Sequence, residues 1–419
     1  MPNSYLTRTE SSPTSTKIGT FSAWVKGNFD ATKGLFSGQV DNNNRIALYF
    51  SDTLRIYGNA SGSQTVYLIT DQVFKDPAAW YHIVIAWDTT QGTASNRLKV
   101  YVNGDQVTSF STESYPAQDI AMLWNTGTNI DVGARRTSGV ADYWDGFMSQ
   151  VVFVDGTQLT PTSFGETDTA SGVWKFKSPS GITFGNNGFH LKFENSGALG
   201  TDSSGNSNTY TVQGDLKQAL DRPTINHATW NPVFYRRNGG VSYKPTFSNG
   251  NNTQTGVSTN LSSIAGSTLA VTQGKWYAEF KYILPNSNTN NRVGILDLDD
   301  YDQSSWIFAS GASGYGYRTE EGNKEHNGTN SSYGNSCANG DIIGVAFDAT
   351  NGAIWFSKNG VWQNNATISE IGAGTTTYAA FTSIPSGTWA FTSTTITDVA
   401  FQANFGNGFF GTTAISSAG

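Results

Sequence analysis

The densest run of carboxylates in the chain is Asp297-Leu298-Asp299-Asp300-Tyr301-Asp302, and an extended backbone puts Asp297 and Asp299 on one face. Two acids on one face are what glycoside hydrolysis asks for, at roughly 5.5 Å or wider. Glu166-Thr167-Asp168 begins a similar spacing, but the third acid that would complete it is Ser171, and the stretch is a polar loop. The histidines, His82, His190, His227 and His326, lie far apart in sequence, and three of them have no acid nearby. His82 falls inside an apolar strand pattern, which suits a structural residue better than a ligand. Cys337 stands alone between Ser336 and Ala338, so it forms no disulfide within the chain and reads as an inert small residue. No Gly-x-Ser-x-Gly elbow, phosphate loop, dinucleotide fingerprint or zinc spacing occurs. Catalysis has no support in these residues, and none is assigned a catalytic role.

Binding has more. Arg135-Arg136 with Asp142-Tyr143-Trp144 mixes charge and aromatic faces, as do Asp299, Tyr301 and Trp306 followed by Tyr315, Tyr317, Arg318 and Glu320. Sugars stack their apolar faces on such rings and give hydroxyls to such polar groups. The candidate ligand-binding residues are therefore Arg135, Asp142, Tyr143, Trp144, Asp299, Tyr301, Trp306, Tyr317 and Arg318. Trp24, Trp80, Trp87, Trp276 and Trp355 read instead as core. Gly200-Thr-Asp202-Ser-Ser204-Gly-Asn206-Ser-Asn208 offers oxygens at spacing two, a candidate Ca²⁺ loop through Asp202, Asn206 and Asn208. The other reading is a metal-free turn rich in Asn and Asp. It is favoured because no bidentate Glu follows and no glycine sits where a Ca²⁺ loop needs one.

The bulk numbers limit partners. The 419 residues carry a formal net charge of −7, with only 14 % charged and 13 % aromatic residues. Without a basic patch, nucleic acid is disfavoured, because Lys and Arg supply phosphate affinity. Arg135-Arg136 and Arg236-Arg237 are the adjacent arginine pairs, and both read as solvated surface. No run approaches the ~18 apolar residues of a spanning helix, so no membrane insertion is expected. The opening MPNSYLTRTESS lacks the basic and apolar regions of a signal peptide.

The elements that hold these residues are strands. Gly340–Gly360 reads as two hairpins: Ile343, Val345 and Phe347 share a face, Asp348 to Gly352 supply turn chemistry, Ile354 and Phe356 resume, and Asn359-Gly360 closes a tight turn. Trp80–Asp88 and Arg97–Gly104 echo that order, ending again in Asn-Gly. Phe21-Ala23-Val25, Leu35–Gly38, Arg45–Phe50, Leu54–Tyr57, Asn129–Gly133 and Trp144–Val154 read as further strands. No helical periodicity persists over ten residues, and Thr160-Pro161 suggests one short helical turn. So the fold class is all-β, two concanavalin-like antiparallel β-sandwich (jelly-roll) domains in tandem, with boundaries expected at 1–215, 216–240 (connector) and 241–419.

Two resemblances sharpen this. FSAWVK, LFSG, WYHIVIAWD, LKVYVNGDQV, DVGARR and DGFMSQVVFVDGTQLTP resemble a laminin-G-like, concanavalin A-like lectin domain over about residues 1–165. GKWYAEF, GDIIGVAFD, IWFSKNG and ANFG resemble the SPRY family over about 270–411. Both resemblances imply sandwiches that bind glycan or protein through loops, as a rule without catalysis. The second places Asp297–Asp302 where a strand leaves for a variable loop, which argues against a hydrolytic dyad. The junction Asp221–Pro232 resembles one recurring in marine bacteriophage structural proteins. Together these imply a virion exterior protein, made in the host cytoplasm, that is a tail-fibre or receptor-binding component or a head decoration fibre. Its expected partners are other virion proteins and host cell-surface glycan or protein. It is expected to form a homo-oligomer, with a trimer as the common fibre arrangement. Two alternatives stay open: a structural assembly protein and, third, a polysaccharide depolymerase.

Overall fold

The computed structural model describes residues 3–126, 129–257, 263–285, 290–308 and 314–415. Contacts divide the chain into two units, Met1–Asn226 and His227–Gly419. Strands make up 47 % and helices 3 % of it, so the all-β expectation holds.

In the first unit an eight-stranded antiparallel sheet runs Phe110–Ser114, Ser63–Val73, Thr53–Ala60, Asn44–Ser51, Lys33–Asp41, Asn129–Val132, Tyr5–Thr9, Thr211–Gln213. The facing six-stranded sheet runs Phe189–Leu191, Gly146–Asp155, Ile18–Gly27, Tyr81–Asp88, Leu98–Val102, Asp105–Gln106. Alternation builds the core: Phe21, Val25, Ile83, Ile85 and Phe153 meet Phe36, Leu48, Ile56 and Val66, with Phe21 stacked on Phe36 at 4.4 Å. The outer face of the six-stranded sheet is covered as well. Val84, Ala86, Tyr101, Val152, Val154 and Phe164 form a second cluster there. The expected helical turn is a 3₁₀ turn at Pro161–Ser163.

In the second unit seven strands run Thr246–Ser248, Thr253–Thr255, Ala400–Asn404, Lys275–Ile283, Ile342–Asp348, Ala353–Lys358, Val361–Trp362. Six run Ser263–Val271, Trp389–Thr395, Arg292–Asp297, Gly314–Arg318, Asn323–His326, Thr329–Ser332. Phe280, Ile343, Val345, Phe347, Ile354 and Phe356 fill the core from the first sheet, and Val293, Ile295, Tyr315, Tyr317 and Phe391 from the second. The hairpins read at Gly340–Gly360 form as expected. A six-residue helix, Ile368–Ala373, lies beyond the reading. Its start is a capping box, Thr367 with Glu370, and Ile371 packs with Ala366 and Tyr378 against Trp355.

The stretch 216–240 is shared between the units. Asp221 is buried in the first, and Trp230 is buried in the core of the second.

Candidate binding surfaces

In the first unit the Arg135–Arg136 and Val140–Ala141 strands pair as a small hairpin. Arg135 Nη1 reaches Asp142 Oδ2 at 3.2 Å and its guanidinium lies 4.4 Å from the Tyr49 ring centroid. The Tyr143 hydroxyl donates to the Val140 carbonyl at 3.1 Å, and its ring lies 5.8 Å from that of Tyr5. Arg135, Asp142 and Tyr143 therefore gather, while Trp144 turns into the core beside Phe29 and Phe50. Arg136 is no solvated cation. It pairs with Asp131, whose side chain is fully buried. A charge beside a buried carboxylate is held there because the alternative is an unpaired ion in low dielectric.

Asp202, Asn206 and Asn208 do come together, though not as converging oxygens. The Asp202 carboxylate accepts backbone N–H groups of His190, Ser204 and Asn208 at 2.8–2.9 Å. Asn206 Nδ2 and Asn208 Nδ2 donate to the Gly188 carbonyl at 2.9 and 2.8 Å, and Arg8 donates to Asn208 Oδ1 at 2.6 Å. Donors surround this carboxylate, the chemistry of a turn hub. Among the described residues no group of three or more His, Cys, Asp or Glu is placed to hold a metal ion.

One further arrangement looks catalytic at first. Ser22 Oγ lies 2.8 Å from His82 Nε2 in a buried site. But Trp174 Nε1 donates to His82 Nδ1 at 3.0 Å, so Nδ1 is the acceptor and Nε2 carries the proton. That tautomer donates to Ser22 and takes nothing from it. Burial also drives the His82 pKa down to about 3, holding the ring neutral.

In the second unit the expected residues separate. Asp299 Oδ2 accepts the Thr388 N–H at 3.0 Å, and Asp297 Oδ1 accepts the Asp299 N–H at 3.1 Å, so this acidic run braces a turn. Tyr317 is fully buried in the core, and Arg318 pairs with Glu321 at 2.9 Å. Tyr301 and Trp306 gather elsewhere, around a residue the sequence reading set aside. Arg236 is 1 % exposed, 4.6 Å from the Trp306 ring and 5.6 Å from that of Tyr243. Its Nη2 donates to the Ser304 carbonyl at 3.2 Å, while Nε and Nη1 have no hydrogen-bond partner among the described residues. The solvated reading fails here because a ring across the short hairpin, Tyr243, and one distant in sequence, Trp306, flank the guanidinium.

The outer face of the seven-stranded sheet carries a row the sequence did not announce. Asn404, Glu279, Gly344, Ser357 and Trp362 pair successively across five strands. Tyr277, next on the same face, leans over Gly344, where a Cβ would stand 2.6 Å from its hydroxyl. That hydroxyl donates to Glu279 Oε1 at 3.0 Å, Asn404 Nδ2 donates to Oε2 at 2.8 Å, and the Tyr277 and Trp362 rings lie 6.1 Å apart at 59°. Burial and the Glu279 charge raise the Tyr277 pKa, keeping the phenol a donor. Tyr277 is nevertheless 45 % exposed, whereas Glu279 at the floor is 8 % exposed. An open aromatic notch over a held carboxylate can stack an apolar face and accept a hydroxyl. Trp276, read as core, is 48 % exposed instead, with Nε1 donating to the Gln273 carbonyl at 2.7 Å. Alternation puts it on the Phe280 face, but it stands at the strand's opening, where the core ends.

Residues 3–163 match the family described as the concanavalin A-like lectin/glucanases superfamily, laminin-G type, and residues 275–391 match the SPRY domain. The chain is a concanavalin A-like domain followed by a SPRY domain. No curated protein matches it significantly. Similar solved structures include the SPRY domain of human HERC1, 19 % identical over 37 % of this chain and 88 % of that one, at a TM-score of 0.29. They also include a heptameric SAP-like pentraxin from Limulus polyphemus, 20 % identical over 38 % of this chain and 71 % of that one, TM-score 0.29. Domain 4 of AbnA, a GH43 arabinanase from Geobacillus stearothermophilus, is 16 % identical over 36 % of this chain and 65 % of that one, TM-score 0.27.

In the second unit the residues missed were Arg236, Glu279 and Tyr277. For Tyr277 the signal was present in Lys275–Ile283, where Tyr277 and Glu279 alternate away from Ala278 and Phe280. For Arg236 there was none, since its neighbours come from Tyr243 and Trp306. Among the described residues no helix is long and apolar enough to cross a membrane. Both domains are of types that suit carbohydrate or protein binding.

Proposed function

We propose that this chain is a non-enzymatic adhesive component of a bacteriophage virion exterior, a tail-fibre, receptor-binding or head decoration protein, and that its SPRY domain engages host surface glycan. The observation that carries the binding reading is the exposed Tyr277–Trp362 notch over Glu279, with Asn404 and Ser357 in the same row. This surface is a sheet face, whereas sequence alone pointed to loops. A sugar ring stacks on Trp362 or Tyr277 while a hydroxyl donates to lone pairs that Glu279 has left. The virion setting draws its support from the Asp221–Pro232 phrase and from a surface poor in charge. Partners are then other virion proteins and a host glycan, in a homo-oligomer.

The test is binding of the whole purified chain to host cells. Saturable binding that free host glycan competes away is expected. Trp362→Ala and Tyr277→Ala should each weaken it about tenfold, roughly 1.4 kcal/mol, with the fold unchanged. Absence of competable binding, or equal binding by both variants, overturns the assignment. A second reading, assembly contacts to other virion proteins, is favoured by exposed Val361 and Ile368 near the same edge. It predicts that Val361→Asp blocks incorporation into particles and leaves host binding intact.

A further inference from the structure

Lys26 lies on the central strand Ile18–Gly27, and its side chain is fully buried, as is that of Asp221. Lys26 Nζ is 2.8 Å from Asp221 Oδ2 and 2.7 Å from Asn226 Oδ1. Trp80 Nε1 donates to the other Asp221 oxygen at 3.0 Å, and Asn226 Nδ2 donates to the Ala78 carbonyl at 2.9 Å. Rings wall the amine. Phe147 has its centroid 5.7 Å from Nζ, and the Trp80 and Phe147 centroids are 6.4 Å apart. As a stabilising ion pair this is a poor device, because desolvating both charges offsets most of their attraction. As a reaction site it holds a buried amine, an amide carbonyl and a carboxyl group in mutual contact.

We propose that Lys26 and Asn226 join in an intramolecular amide bond, with Asp221 carrying the proton. The C=O bond is about 1.23 Å, so the 2.7 Å contact to Oδ1 places Nζ within about 3.9 Å of Cγ. That approaches the ~3–3.5 Å from which positioned groups react. Burial lowers the Lys26 pKa, which favours passing its proton to Asp221 and leaves a neutral, nucleophilic amine. The Nζ lone pair then attacks Cγ, and the carbonyl π pair moves onto Oδ1. As that pair returns, the Cγ–Nδ2 bond breaks. Asp221 gives its proton to Nδ2 and takes one from Nζ, so the carboxyl group is regenerated. The products are one secondary amide and one ammonia, and no oxidant, reductant or co-substrate enters. Asn226 is itself exposed, which gives the ammonia a way out. The bond would tie the end of the first unit to its central strand, across a separation of 200 residues.

Intact mass of the full chain tests this, measured on purification and after several days at physiological temperature. The expected result is a mass about 17 Da below that of the sequence, together with a branched tryptic peptide containing Lys26 and Asn226. Asn226→Ala changes an exposed residue and should fold, show full mass and melt lower than the linked chain. Lys26→Arg and Asp221→Ala should also show full mass. Full mass throughout in the unaltered chain overturns the proposal. So does a loss of about 18 Da, which would mean that Asp221 itself had condensed, or a branched peptide at other positions.

Discussion

The two Asn-Gly hairpins, one in each domain, are built alike and covered differently. Asn103 and Gly104 have φ of 51° and 91°, Asn359 and Gly360 have 49° and 79°, the signature of a type I′ turn. In both, the Asn side-chain oxygen accepts an N–H from the first or second residue of the preceding long strand, His82 or Ile342, at 2.8 Å. In both, the Asn N–H returns to that residue's carbonyl at 2.8 Å. Yet a Cβ on Gly104 would stand 2.6 Å from the Trp174 ring, and one on Gly360 would meet nothing within 4 Å. Trp174 arrives on the strand Trp174–Phe176, outside both main sheets of the first sandwich, and it also bonds His82. Among the described residues of the SPRY domain, the short helix Ile368–Ala373 lies over part of the equivalent face, and it leaves Tyr277 exposed and Trp362 half-buried. A local code makes the turn. What a later segment lays over it decides whether that face becomes interior or binding surface.

Removing the cover tests this most strongly. Trp174→Ala should cost about 3 kcal/mol, because a ring packed on Gly104, Gly165 and His82 leaves a cavity. Gly104→Ala should cost about as much, since it strains φ and drives a methyl into that ring. Trp362→Ala removes a half-buried ring packed beside Trp355 and Tyr277, so it should cost less, about 1–2 kcal/mol, and act on binding as well. Urea unfolding of the whole chain, with hydrogen exchange assigning each transition to its domain, reads all three. Equal costs for the two tryptophans would erase the distinction between a covered and an open hairpin.

Acid should separate the domains next. The covered face holds His82 neutral, its pKa lowered to about 3, and burial lowers His190 to about 4. Both titrate near 6.5 when unfolded, so below that pH the unfolded chain binds protons that the folded domain refuses. Stability of the first domain is therefore full above about pH 6.5 and falls as pH drops toward 4, by up to roughly 1.4 kcal/mol per unit for each histidine. Replacing both histidines with Gln should flatten that slope in pH-dependent urea midpoints. An unchanged slope would mean that neither ring is held neutral by its surroundings.

What could be read in the sequence follows the same division. The hairpins, the strand faces of Ile343, Val345 and Phe347, and the order of both domains were legible because turn chemistry and alternation act over a few residues. Strand Ser63–Val73 does not stand out in the sequence although Val66 and Leu68 alternate into the core, because Gln, Thr and Asp surround them. The capping box at Thr367–Glu370 was also local and could have been found. The row Asn404, Glu279, Gly344, Ser357, Trp362 was not legible, since it exists only once five strands are in register. Arg236 and Trp276 were misplaced for one reason: exposure depends on which distant segment lies above a residue, and alternation reports only the side it faces.

The smallest effect isolates the turn from its cover. Gly360→Ala places an L residue at φ 79° with open space around the new methyl, so only backbone strain opposes it. Strain of about 1–2 kcal/mol, partly offset by lower unfolded-state entropy, gives a net cost of about 1 kcal/mol. The excess cost of Gly104→Ala over Gly360→Ala then measures what displacing Trp174 takes, because both turns share one backbone geometry. If the two substitutions shift their urea midpoints by the same free energy, Trp174 yields without resistance. The covered hairpin would then be no more fixed than the open one.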